Sequence, residues 1–213
     1  LTVGGMAKNA GKTVAMNYIQ AMLRAEGHSF GLTSVGRDGE QFDALTLLAK
    51  PSVVVEAGTL VATAEATVVD RECWQALEQT PIRTPLGVIG IFRALARTKV
   101  VLAGPSKNSE VQAVAKKLAG YGAECVIIDG AFDRQSSADP TVSEQVILAT
   151  GATLNRNIAD LVTLTKARVE QLALPLAGEY RELVEELEFR VMVIAAGERR
   201  EIPVPTTLLG EEA

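Results

Sequence analysis

Near the start of the chain runs Gly4-Gly-Met-Ala-Lys-Asn-Ala-Gly-Lys-Thr-Val14. It lies between an apolar start, Leu1–Val3, that reads as a short strand, and a helical pattern over Val14–Glu26, so its glycines fall at a strand-to-helix turn. At such a turn, backbone N–H groups and the positive end of the helix converge on one spot, where they can surround an anionic phosphate. The spacing is Gly5-x5-Gly11-Lys12-Thr13, and Met6 stands where the shorter Gly-x4-Gly-Lys-Thr spacing would place the first glycine. Gly5, Lys8, Asn9, Ala10, Gly11, Lys12 and Thr13 are the candidate phosphate-binding residues. Lys12 is expected to reach the outer phosphates, and the Thr13 hydroxyl to hold a divalent cation. The competing reading, a chance Gly-Lys-Thr at a helix start, is disfavoured by the strand before it and the helix after it.

The rest of the chain supplies a setting for that loop. With 213 residues, of which 47% are hydrophobic, one α/β domain over 1–213 is expected. A net charge of −5 gives no electrostatic reason to bind nucleic acid or an anionic membrane. No apolar run approaches the roughly 18 residues of a membrane span, and no basic-then-apolar leader is visible. Cys73 and Cys125 make neither a disulfide framework nor a metal cluster, which suits a reducing cytoplasm. His28, the only histidine, reads as a solvent-facing turn residue.

Ser29–Val35 reads as a second strand ending in Gly36-Arg-Asp-Gly-Glu40, which makes Asp38 a candidate for orienting an ion or an attacking water. An acid in a tight turn explains Asp38 equally well. Short β-rich runs at Ser52–Val55, Leu60–Ala64 and Gly87–Phe92, broken by glycines and prolines, predict a β-rich, antiparallel or hairpin-containing insertion on the main sheet over 51–98. Lys99–Ala103 reads as a buried strand followed by Ser106-Lys-Asn-Ser109, with Ser109 and Gln112 as a capping box for the next helix. Ser106 is a candidate phosphate or carboxylate contact.

Cys125-Val-Ile-Ile-Asp129 is an apolar run ending in an acid at a strand tip, the form of an element whose carboxylate holds Mg2+. Arg134, in the loop after it, offers a planar fork to a phosphate or carboxylate, and a surface pair with Asp133 is the plain alternative. Val146–Ala149 reads as a further strand, Asn155–Gln171 as a helix, Tyr180–Glu188 as a short acidic helix and Phe189–Ala195 as a last strand.

The Gly5–Thr13 spacing resembles the loops of dethiobiotin synthetase and the cobyrinic-acid amide synthases, which are P-loop ATPases. More specifically, Ala7–Thr13, Ser34–Glu40, Leu102–Ser109, Val126–Arg134 with Ser136-Ser137, and Ala149–Ala152 together resemble the small-subunit family of the proposed reactivase for lysine 5,6-aminomutase. The likeness covers roughly residues 1–170 and thins beyond. It implies a P-loop NTPase-like α/β fold with a mainly parallel sheet, ATP and Mg2+ as ligands, a MutS-like ATPase subunit as partner, and a client aminomutase that uses adenosylcobalamin and pyridoxal phosphate. Lys12 and Asp38 would then be the catalytic residues, and Thr13 and Asp129 the metal ligands. An ATP-dependent ligase resembling dethiobiotin synthetase, activating a carboxylate or carbamate, is the rival. Purely structural or regulatory nucleotide binding is a third reading. The oligomeric state is left open, a homo-oligomer included.

Overall fold

The computed structural model describes residues 1–7, 9–36, 53–131, 142–173, 191–195 and 198–202. The chain divides into two compact units, Leu1–Arg168 and Val169–Ala213. The elements in order are β1 (Thr2–Gly5), α1 (Lys12–Ala25), β2 (Phe30–Ser34), β3 (Val53–Val55), β4 (Leu60–Ala64), β5 (Trp74–Thr84), β6 (Gly87–Ala94), β7 (Thr98–Val100), α2 (Asn108–Gly120), β8 (Cys125–Ala131), β9 (Val146–Ala149), α3 (Ile158–Leu172), β10 (Val191–Ala195) and β11 (Glu198–Ile202).

The first unit is α/β, with a mostly parallel central sheet flanked by helices. Its described strands form a seven-stranded sheet in the order β5-β6-β4-β2-β8-β1-β9. Strands β4, β2, β8, β1 and β9 run parallel. Parallel neighbours need crossovers, and helices that pack on both faces are what make continuous apolar strands soluble. Alternation along β8 divides the work. Ile127 joins Val3, Leu32 and the α1 residues Met16 and Ile19 in one core, whereas Ile128 packs with Val35 and the α2 residue Val111 in another. Val114 and Leu118 of α2 complete that second face against Leu60, Ala62 and Ile89. A Cβ on Gly31 would lie 3.1 Å from Leu118, so α2 rests directly on the backbone of β2. Met16, Leu118 and Ile127 are fully buried, and truncating such a side chain to alanine costs about 2–5 kcal/mol.

Both crossover helices stop in the same way. After α1, His28 N–H donates to Leu23 O (2.9 Å) and Gly27 N–H to Arg24 O (3.0 Å). After α2, Ala123 N–H donates to Leu118 O (3.1 Å) and Gly122 N–H to Ala119 O (2.9 Å). Gly27 and Gly122 have positive φ, which completes a Schellman stop and turns the chain into the next strand.

The hairpin-containing insertion expected on the main sheet over 51–98 is present as β5–β6, and the correction falls on Leu60–Ala64. Leu60–Ala64 is an integral parallel strand of the central sheet. The β5–β6 hairpin extends the same sheet by antiparallel pairing beyond β4, and only β3 stands apart, paired antiparallel with β7. β5 is not among the runs named from the sequence, because Pro81 falls within it. As the outermost described strand, with register shifts near Ala76 and Gln79, β5 accommodates a proline. The predicted strand Lys99–Ala103 is also revised: pairing covers Thr98–Val100 only. Lys107, not Ser109, is the N-cap of α2, and no side chain caps it.

Val101–Pro105 instead crosses the carboxyl ends of β4 and β2. Ala64 N–H donates to Ala103 O (2.9 Å) and Gly36 N–H to Pro105 O (2.7 Å). Ala103 N–H donates to Thr63 Oγ1 (2.9 Å) and Gly104 N–H to Ser34 Oγ (2.7 Å). The crossing is so close that a Cβ on Gly104 would fall 1.9 Å from Ser34 O. The second unit contains β10 and β11, paired antiparallel from Val191↔Ile202 to Ala195↔Glu198. Tyr180–Glu188 lies outside the described residues. Among the described residues no helix is long and apolar enough to cross a membrane.

A surface cluster ties α2 to the hairpin. Lys117 pairs with Glu78, and Tyr121 Oη donates to Glu78 Oε2 (3.1 Å). The Lys117 hydrogen bond, with help from Tyr121, holds the Glu78 carboxyl below its ordinary range against the opposing effect of burial. Burial and the Glu78 bond raise the Tyr121 phenol. At the amino end of the sheet His28, half exposed, lies 2.9 Å from Glu124 Oε2. The turn position is as expected, and the carboxylate partner is an addition.

Two outcomes are expected. Gly104→Ala loses about 3 kcal/mol in denaturant unfolding, because the crossing chain must move off β2, whereas Gly120→Ala, whose added Cβ meets nothing within 4 Å, gains roughly 0.5 kcal/mol. For Glu78, a lowered folded pKa means that its contribution is full above the unfolded carboxylate value and is lost as pH falls through the folded one. Thermal melts should therefore show wild type above Glu78→Gln near pH 6, with the gap closing below the ordinary glutamate range of about 4.3.

Candidate functional site

The glycine-rich loop is built at the carboxyl end of β1. Met6 N–H donates to Ala149 O (2.9 Å), carrying the β9 pairing one residue past the strand. A turn follows, closed by Ala10 N–H donating to Ala7 O (3.2 Å), with Asn9 at φ 64°. Gly11 then adopts φ 94°, ψ 7° as the N-cap of α1. This left-handed conformation is one that glycine takes without strain. The loop folds back tightly: a Cβ on Gly5 would lie 3.4 Å from Ala7 O and 3.6 Å from Lys12 Cβ.

No side chain caps α1, and no acidic residue lies in its first turn. The partial positive charge of the helix start is thus left without a carboxylate from its own first turn. Lys12 adds a full charge at the same place, and Thr13, half-buried, follows it in that turn.

β8 delivers the opposing charge. It is the direct neighbour of β1, with Val3 opposite Asp129 and Gly4 opposite Gly130. On its other side Ser34 of β2 pairs with Asp129, and Val35 N–H donates to Asp129 O (3.0 Å). Strand alternation puts the Asp129 side chain on the face that Ile127 shares with α1. Lys12 Nζ consequently lies 2.7 Å from Asp129 Oδ1 and donates to Gly130 O at 3.3 Å. The side chains are 31% and 23% exposed. Asp129 Oδ1 is buried and receives no aligned hydrogen bond, so Lys12 reaches it by charge proximity, off the line of a well-formed hydrogen bond.

Of the candidates named from the sequence, Gly5, Asn9, Ala10, Gly11, Lys12, Thr13 and Asp129 are brought to one sheet edge. Ser106 is at that edge but elsewhere: it is exposed and lies against Gly36 at the end of β2, with β8 between that strand and β1. Lys8, Asp38 and Arg134 lie outside the described residues. Two contributors escaped the sequence reading. The Gly130 carbonyl is a backbone group with no residue-type signal. The Ser34–Gly104 contact joins residues that only the crossing brings together.

Chemically, this edge sets N–H donors and an ammonium, groups that can take an anion, beside a carboxylate and a hydroxyl, groups that can take a cation. Among the described residues no group of three or more His, Cys, Asp or Glu side chains gathers as a self-sufficient metal centre. A metal at Asp129 would therefore need oxygens from Thr13, water or a ligand. An open apolar depression of about 560 Å³, lined by Leu1, Ile19, Met22, Cys125, Val146 and Ile147 among others, lies at the opposite, amino end of the strands and has no charged lining residue. It is not this site.

No protein-family model, no curated protein and no solved structure matches the chain.

Proposed function

We propose that the chain is a P-loop NTPase-like protein that binds ATP with Mg2+ at Gly5–Thr13. The observation that carries the reading is the Lys12–Asp129 pair: a loop lysine at an uncapped helix start, facing the acid of the adjacent parallel strand at 2.7 Å. The residues suit the ligands. Lys12 and the first-turn amides offer charge and donors to phosphate oxygens. The Thr13 hydroxyl and the Asp129 carboxylate, whose Oδ1 is buried without an aligned hydrogen bond, are hard oxygen donors of the kind Mg2+ takes.

When bound, Mg2+ supplies neutralisation of the phosphate charge. The chain's own part in hydrolysis is positioning: Lys12 and the loop amides stabilise charge on the phosphate being transferred, and Asp38 orients the attacking water. In that reaction the water oxygen bonds to the γ-phosphorus, the bond to the bridging β–γ oxygen breaks, and the water's proton leaves to phosphate or solvent. Turnover by the chain alone is slow. The physiological role is that of a cytoplasmic accessory or reactivating subunit for an adenosylcobalamin-dependent aminomutase, working with a MutS-like ATPase partner. That part rests on the likeness of Ala7–Thr13, Ser34–Glu40, Leu102–Ser109 and Val126–Arg134 to the reactivase small subunits.

Calorimetric titration of ATP with Mg2+ tests the site. Wild type binds in the micromolar range and Lys12→Ala binds about 30-fold more weakly or not at all, the size expected on losing a charged hydrogen bond to phosphate. Equal binding by the two, or no binding by folded wild type, contradicts the reading. Acceleration of phosphate release by an added aminomutase and its MutS-like partner supports the accessory role, whereas acceleration by a small carboxylic acid points to a ligase instead.

A further inference from the structure

Lys12 and Asp129 are each required twice. The nucleotide reading assigns Lys12 to phosphate and Asp129 to a divalent cation, yet in the structure they hold one another, with Nζ 2.7 Å from Oδ1 and the ammonium also on Gly130 O at 3.3 Å. One ammonium that stays on the carboxylate is not free to move to a phosphate. A carboxylate so neutralised has little left to attract a cation.

The geometry points to an ion-exchange latch: Asp129 retains Lys12 until a phosphate takes the lysine and a divalent cation replaces it on the carboxylate, so the site admits the cation–nucleotide complex and discriminates against either component alone. The proposal rests on the nucleotide reading above. Its physical basis is the cost of the two half-exchanges. If phosphate alone draws Lys12 away, the covered Asp129 oxygen is left bare beside a second anion. If a cation alone takes Asp129, the Lys12 ammonium is left unbalanced beside a dication. Either way an unpaired charge remains in a partly dried site, where the surviving member of a broken pair is costly. The complex restores both pairs at once. Each ligand therefore raises the affinity for the other, and by linkage the factor is the same in both directions.

The latch makes predictions opposite to a simple count of lost contacts, because removing a ligand for one component strengthens binding of the other. In a Mn2+ titration followed by electron paramagnetic resonance without nucleotide, Lys12→Ala binds at least about fivefold more tightly than wild type. Adding Asp129→Asn to that variant abolishes the gain. In a calorimetric titration of ADP with EDTA present, Asp129→Asn binds at least about fivefold more tightly than wild type, and with Mg2+ the order reverses. Melting curves establish that each variant is folded, and Lys12→Gln serves if Lys12→Ala is not.

Equal Mn2+ affinity in wild type and Lys12→Ala overturns the latch even when wild type binds Mg-ADP normally. Metal-free ADP held as tightly by wild type as by Asp129→Asn also overturns it. Wild type that binds no ADP even with Mg2+ overturns the nucleotide reading itself, and the latch with it.

Discussion

The register of β1 against β8 is the constraint on which the rest of the site depends. Parallel pairing that sets Val3 opposite Asp129 brings the end of one strand, where the chain leaves for α1, beside the end of another, where an acid is exposed to the same space. A slip of one residue would turn Asp129 to the opposite face, away from Lys12. That register is held by burial more than by polar contacts: Val3 and Ile127 face α1 with Met16, and Ile128 faces α2 with Val111. The two faces lock the strands, and the strands place the charges.

The same logic accounts for α2. Its amino end is fixed by the Val101–Pro105 crossing, which spends backbone donors and hydroxyls of β4 and β2 on a segment that pairs with no strand of the sheet. Leu118 seated on Gly31 anchors the other end of the helix. The hairpin β5–β6 then covers the flank of β4, and the Glu78–Lys117–Tyr121 contacts tie it back to α2. The candidate site thus lies at one edge of a rigid α/β layer, where residues on helix and strand are positioned more finely than residues on loops.

Much of this was legible in the sequence because local chemistry and tertiary role coincide. Gly5, Gly11, Lys12 and Thr13 lie at a strand-to-helix turn, as the apolar start before them and the helical pattern after them predict, and an apolar run ending in Asp129 became a central strand. What was not legible is non-local. Lys99–Ala103 is apolar enough for a strand, but Ala103 and Gly104 are bonded to Thr63 and Ser34, some distance away in sequence, and nothing local marks that use. β5 carries Pro81 and few apolar residues beyond Trp74, Leu77 and Ile82, a composition that suits an outer strand but gives no strong strand signal when its neighbours are unknown. Leu60–Ala64 has the pattern of any short buried strand, and its parallel partner β2 lies beyond residues that give no hint of the pairing. The contact between Lys12 and Gly130 O could not be read at all, since every residue has a carbonyl.

In the proposed function the loop and the acid strand together form a nucleotide site in which Lys12 serves phosphate. A crystal structure with Mg-ADP tests it most directly. Phosphate oxygens are expected within hydrogen-bond distance of Lys12 Nζ and of the first-turn amides of α1, with Lys12 withdrawn from Asp129. Nucleotide bound elsewhere on the chain, or Lys12 still held on Asp129 with nucleotide present, would contradict it.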